Sequence, residues 1–174
     1  INHNNHHTFW SFLKQADVYH LGAGAVYFTS IENLEVNDYR PKVIGSTGSP
    51  LPASTFESLQ QKFPDVHIIS LSGGTDVCSA FLSGCSLLSV YAGQLQCKTL
   101  GADIVAYNEE GKEIIDEVGE LIIKQPMPSI PVYFWNDTDN VKYGESYFEK
   151  FSHVWAHGDC IKINSNEGIV IYGR

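Results

Sequence analysis

The sequence predicts an α/β fold: a parallel sheet flanked by helices, followed by a β-rich, barrel-like subdomain. Three observations carry that expectation. Helix patterns alternate with short apolar runs from Thr8 to about Phe81, two of those runs lead straight into Gly/Ser/Thr loops, and from about Tyr91 short strands follow one another through turns. Residues 8–90 are therefore expected to form the α/β part and 91–174 the β-rich part, with 1–7 a disordered end or an expression remnant.

Taken in order, Thr8 can cap a helix whose apolar residues Phe9, Trp10, Phe12 and Leu13 recur at helical spacing. Gly22-Ala23-Gly24 reads as a tight turn or pocket wall. It starts like a dinucleotide fingerprint but lacks the third glycine. Lys42-Val43-Ile44 and Val66-His67-Ile68-Ile69 read as strands, and Pro52 opens a helix with Phe56, Leu59 and Phe63 on one face. Further on, Ala102 to Tyr107, Glu120 to Lys124, Cys160 to Ile163 and Ile169 to Tyr172 read as strands, with a turn at Asn108-Glu109-Glu110-Gly111. The proline-rich Pro126 to Pro131 is an extended connection, because proline can neither continue a helix nor donate to a central strand.

Composition narrows the function classes. With 43% hydrophobic residues in 174, the chain can bury a real core. A net charge of −9 with only 11 Lys and Arg argues against nucleic acid and against an anionic membrane, whose phosphates are met mainly by cationic side chains. No apolar run approaches the ~20 residues of a membrane span. Cys78, Cys85, Cys97 and Cys160 show neither zinc-type pairing nor the density of a disulfide scaffold, so they read as buried reduced thiols in a cytoplasmic protein. His3, His6 and His7 suit a metal only if the end folds back.

Chemistry concentrates in three segments. Gly45-Ser46-Thr47-Gly48-Ser49-Pro50-Leu51 and Ser72-Gly73-Gly74-Thr75-Asp76 each follow a strand, where an open α/β sheet places its ligand crevice. In the second, glycines let amides approach an anion, Thr75 can donate to a phosphate oxygen and Asp76 can hold magnesium; a tight surface turn has the same composition. In Trp155-Ala156-His157-Gly158-Asp159 the carboxylate can accept both hydroxyls of a ribose, or simply cap a turn. No P-loop pattern occurs, so hydrolysis of that kind has no support.

The order of these segments resembles the adenylate-forming acyl-coenzyme A synthetases. The matching stretches are Ser46 to Leu51, Ser72 to Asp76, Gly119-Glu120-Leu121, Pro131 with Phe134-Trp135-Asn136-Asp137, Trp155 to Asp159 and Gly173-Arg174, spread over residues 8–174. The resemblance implies ATP, Mg2+ and coenzyme A, with an acyl-AMP formed and then displaced by the thiol. It assigns Gly48, Ser49 and Pro50 to adenine, Thr75 to the α-phosphate, Asp76 to magnesium, Asp159 to ribose and Arg174 to ribose or phosphate. Thr75 and Asp76 are the expected catalytic pair; Ser72, Gly73 and Gly74 belong to the same substrate-binding turn.

In acetyl-specific relatives a tryptophan stands two residues before the threonine. Gly73 holds that place here, which implies a longer acid such as acetoacetate, with Thr47 lining the acyl pocket. Phe134 and Trp135 are expected to pack in the core. The family's triphosphate loop and its mobile domain with a catalytic lysine fall outside this stretch. The chain is thus expected to be an internal fragment, inactive alone and missing both flanking parts of its own polypeptide. A synthetase for another short acid and a non-catalytic nucleotide-binding module are the alternatives.

Overall fold

The computed structural model describes residues 6–35 and 39–174. Helix α1 (His6–Gln15) turns Trp10 and Leu13 inward, and the Trp10 ring stacks on Phe63 with centroids 5.5 Å apart. His6 and His7, expected in a disordered end, form its first turn. His6 sits 5.9 Å from the Tyr27 ring, a tertiary contact that orders the turn ahead of Thr8. His3 lies outside the described residues, and no cluster able to hold a metal ion occurs among the described ones.

Strands β1 (His20–Gly24), β2 (Val43–Thr47) and β3 (His67–Ser70) form a parallel sheet in chain order. Gly22-Ala23-Gly24 is therefore strand and not turn: its residues pair with Gly45, Ser46 and Thr47. The ladder supplies hydrogen bonds that outweigh the poor strand propensity of glycine. Helix α2 (Ala25–Ser30) follows, without a strong sequence signal, and buries Phe28. Helix α3 (Ala53–Lys62) starts after Pro52, and Leu59 and the following Phe63 are fully buried. Its last residue, Lys62, donates to the carbonyls of Ile31 (2.6 Å) and Leu34 (2.7 Å) just beyond α2, which ties the two helices. These elements share one core built on Trp10, Phe28, Ile44, Leu59, Phe63 and Ile68.

A small antiparallel sheet comes next: β4 (Ser72–Gly74), β5 (Ser79–Ser83) and β6 (Cys97–Lys98). Val77, Phe81 and Leu82 of this region join a second core with Ile104, Leu121, Ile123, Trp155 and Ile161. Packing thus changes hands just after β4, well before Tyr91. The loop between β5 and β6 is organised by buried Gln96, whose amide donates to the carbonyls of Cys85 (3.1 Å), Leu88 (2.8 Å) and Ser89 (3.3 Å) and accepts the Cys85 N–H (3.1 Å).

Strands β7 (Ile104–Tyr107), β8 (Glu113–Ile114), β9 (Val118–Ile123), β10 (Trp155–Ile163) and β11 (Ile169–Gly173) make a five-stranded antiparallel sheet in the order β11-β10-β9-β7-β8. Between β9 and β10, the Asp137 carboxylate accepts the N–H groups of Lys142 (2.9 Å) and Tyr143 (2.8 Å), seeding the short helix α4 (Val141–Tyr147). Trp135, expected in the core, is 84% exposed, whereas Phe134 packs edge-on against Tyr143 at 5.1 Å. The cysteines are all free, as expected, but none is buried: Cys78 and Cys160 are exposed and the other two half-buried. Among the described residues no helix is long and apolar enough to cross a membrane.

Candidate functional site

The carboxyl ends of β2 and β3 open into a cleft of about 420 Å³. One wall is Thr47, Gly48, Ser49, Pro50 and Leu51; another is Ser70 to Gly73 at the β3–β4 junction. Gly93, Gln94 and Leu95 contribute a third side, and Asp159, Ile171, Gly173 and Arg174 close the mouth. The fold thus brings Thr47, Gly48, Ser49, Pro50, Ser72, Gly73, Asp159 and Arg174 together. Gly74, Thr75 and Asp76 do not line the cleft, and Thr75 and Asp76 stand exposed in the turn that follows β4.

Ser72-Gly73-Gly74 was expected to be a loop and is a strand, paired with Leu82, Ala80 and Ser79 of β5 through a register shift after Ser72. That pairing gives Gly73 a different reason from the expected one. A Cβ there would sit 2.2 Å from the Ser79 carbonyl oxygen and 2.9 Å from the Ala80 Cα. The side-chain direction points into the β5 backbone, so the absence of an indole does not by itself enlarge an acyl pocket. Close strand approach requires glycine at this position.

Asp159 likewise lies within a strand, not at a loop end. Strand β10 bulges between Ala156 and Cys160, where Gly158 adopts φ 86° and donates its N–H to Glu120 Oε1 at 2.7 Å. A side chain at Gly158 would strain that left-handed conformation. Lys150 Nζ meets the other Glu120 oxygen at 2.8 Å, which fixes the carboxylate that holds the bulge. The bulge aims Asp159 at the cleft, where its side chain is 14% exposed and Arg174 Nε donates to Oδ1 at 3.2 Å.

Behind these residues lies an aromatic and polar chain. Trp155 Nε1 donates to His157 Nδ1 at 3.2 Å, His157 Nε2 faces Asp159 Oδ2 at 3.7 Å, and Phe81 packs edge-on against the imidazole at 4.8 Å. Burial holds the His157 pKa below the ordinary histidine value, with Arg174 acting in the same direction and Asp159, Glu120 and Asp76 opposing it. On a face of the indole, the Tyr147 ring stacks at 3.6 Å and 14°, and its hydroxyl donates to Asp76 Oδ2. Burial first, and then the Asp76 carboxylate, push the Tyr147 phenol up to about 12.

Sequence reasoning gave Tyr147, Trp155, His157 and Glu120 no role, although three of them stand in the quoted motifs. A signal was present: Trp155 and His157 alternate as residues on one face of a strand do. Tyr147 has no local signal at all, since its partner Asp76 is 71 residues away.

No family model matches the chain. Over 173 residues, 95% of its length, it is 38% identical to the acetoacetyl-CoA synthetase of Gallus gallus, of which it covers 26%. The solved acetoacetyl-CoA synthetase of Streptomyces lividans superposes on 96% of the chain with a TM-score of 0.89 and 38% identity, the chain covering 27% of it. An anthranilate CoA ligase solved with anthranoyl-AMP superposes on 96% with a TM-score of 0.81 at 16% identity, the chain covering 32% of it. The chain spans about a quarter of the length of the curated relatives it matches.

Proposed function

We propose that this chain, which matches a quarter-length stretch of the acetoacetyl-CoA synthetases in sequence and in fold, is the adenylate-holding part of an AMP-forming acid–thiol ligase acting on acetoacetate. The full-length enzyme joins acetoacetate to ATP as acetoacetyl-AMP, releasing pyrophosphate, and coenzyme A then displaces AMP. The observation that carries this reading is the cleft itself. Gly48-Ser49-Pro50 and the Asp159–Arg174 pair face one space at the ends of parallel strands, the position where such sheets bind nucleotides.

Within it, Gly48, Ser49 and Pro50 form a flat wall against adenine, and Asp159 accepts the two ribose hydroxyls. Arg174, now bonded to Asp159, turns its guanidinium to ribose or phosphate when the nucleotide arrives. Thr47 borders the acyl group. Thr75 donates to the α-phosphate from the turn after β4. Attack of a carboxylate on that phosphorus brings two anions together, so the residues contribute by positioning and by oriented donors more than by proton transfer.

Asp76 suits magnesium. Its Oδ2 accepts the Tyr147 hydroxyl and the residue is exposed, and magnesium commonly takes one or two carboxylates while its other positions go to phosphate and water. When bound, the ion neutralises phosphate charge. The identity of the acid rests on the likeness to acetoacetyl-CoA synthetases, because Gly73 serves the hairpin.

The test is pyrophosphate release by the full-length enzyme across short acids, with Asp159→Ala beside it. Acetoacetate should be the preferred acid. Loss of the charge-assisted ribose bonds should cost about 2–4 kcal/mol in ATP affinity. Preference for another acid would change the substrate, and an Asp159→Ala enzyme with full activity at limiting ATP would remove the ribose role.

A further inference from the structure

Trp155 touches both arms of the site without lining the cleft. It is 2% exposed, and its two faces of chemistry are used separately. The π-face carries Tyr147, with ring planes 14° apart; Tyr143 and Phe148 meet the indole edge-on at 6.1 Å each, so the stack is held from several sides. The N–H edge carries His157.

An indole N–H is a donor only, so the His157 nitrogen it meets must offer a lone pair. Nδ1 is then the acceptor, and the neutral ring carries its proton on Nε2, the atom that faces Asp159. At 3.7 Å this N–H is too far for a direct hydrogen bond but presents its positive end to the carboxylate. Arg174 bonds the other oxygen, and once the arginine turns to ribose or phosphate it is His157 that still orients Asp159. On the opposite arm the phenol stacked on the indole carries its hydroxyl to Asp76 Oδ2.

We propose that Trp155 is a positioning residue for the adenylation step, orienting Asp76 through Tyr147 and Asp159 through the Nε2–H tautomer of His157. The inference rests on the roles proposed above for the two carboxylates. It links the metal-holding and ribose-holding groups through one buried side chain, so that loosening the indole loosens both.

The experiment uses the full-length enzyme, with KM for ATP, kcat, Mg2+ dependence and the acid limb of kcat/KM as readouts. Trp155→Phe keeps an aromatic ring under Tyr147 and deletes the N–H. It should raise the KM for ATP by about 3- to 10-fold, the worth of one ordinary hydrogen bond, with a smaller change in kcat. The acid limb should also move to higher pH, because the donor that disfavoured imidazolium is gone. The groups that set this limb by facing His157 are Asp159, Arg174, Glu120 and Asp76.

Tyr147→Phe should instead raise the Mg2+ concentration needed for half-activity by a similar factor and leave the acid limb where it is; the groups facing the phenol are Asp76, Arg174 and Tyr143. His157→Gln, which cannot take up a proton, should flatten the limb and decides the matter should Trp155→Phe not fold. Wild-type KM, Mg2+ dependence and acid limb in these variants, while Asp76→Ala and Asp159→Ala are impaired, would overturn the inference alone. Unimpaired Asp76→Ala and Asp159→Ala enzymes would instead overturn the roles on which it rests.

Discussion

Replacing Gly73 by alanine tests what the β4–β5 hairpin demands. The added Cβ would lie 2.2 Å from the Ser79 carbonyl oxygen, 2.9 Å from the Ala80 Cα and 3.0 Å from the Ser79 carbonyl carbon. Carbon atoms in contact prefer roughly 3.5–4.0 Å, so the strands must part by more than a relaxing side chain can supply. All three neighbours are backbone, and the strand that would move carries Phe81 and Leu82, both fully buried in the second core. Overpacking of this kind costs about 1–3 kcal/mol. For a chain of this size that corresponds to a fall in Tm of about 2–12 °C.

Gly22→Ala is the matched control, since its Cβ would meet nothing within 4 Å in the middle of β1. It should be neutral or stabilising by up to about 1 kcal/mol. Thermal unfolding of the two variants of the 174-residue chain, followed by circular dichroism, measures both. A Gly73→Ala protein as stable as the parent would show that the hairpin yields. The side chain would then turn to the cleft, and residue 73 would regain a part in setting the size of the acid.

Two further outcomes follow from buried polar groups. Gln96→Ala removes the amide that satisfies Cys85, Leu88 and Ser89, so it should cost about 1–3 kcal/mol and speed hydrogen exchange in the loop between β5 and β6 while β7 and β9 keep their protection; uniform loss of protection would contradict this local role. His157 has a lowered pKa in the fold, so below the ordinary histidine value of about 6.5 the unfolded chain binds the proton first and stability falls with pH until the folded pKa is passed. Urea unfolding at pH 7.5 and 5.5 should show this loss, with a smaller one in His157→Gln, and a parent protein more stable at the lower pH would refute the sign.

The parts of the fold legible in sequence are those whose signal is local. Trp10 and Leu13, or Leu59 and Phe63, announce a buried helix face through spacing alone, and the strands before Gly45 and Ser72 announce themselves by short apolar runs. The cleft was legible for a related reason: the small-residue segments that follow Ile44 and Leu71 must lie near each other if the strands before them are parallel neighbours, as β2 and β3 are, although Gly45 to Thr47, expected in a loop, complete β2 and Ser72 to Gly74 form β4. Glycine-rich strands were not legible. Gly22-Ala23-Gly24 and Ser72-Gly73-Gly74 carry turn composition, and only pairing with β2 and β5 makes them strands.

The same distinction explains why the candidate binding residues were easier to name than the residues that orient them. The carboxylate proposed to meet a ribose, Asp159, sits in a recognisable short segment, because the backbone bulge before it requires Gly158. The group that holds a carboxylate in place needs only to reach it through space. Tyr147 arrives at Asp76 from a helix seeded by Asp137, and Glu120 secures the bulge in β10 from the neighbouring strand β9. In both cases the partner lies far away in sequence, Asp76 for Tyr147 and Gly158 for Glu120. Trp155 combines both conditions: it lies four residues before Asp159 in one motif, yet what it contributes is set by Tyr147, which comes from α4 across the indole face. A motif fixes which atoms meet the ligand, and the tertiary stack behind it fixes their direction and protonation. A substitution that preserves the motif but disturbs the stack should therefore alter affinity and pH dependence before it alters the fold.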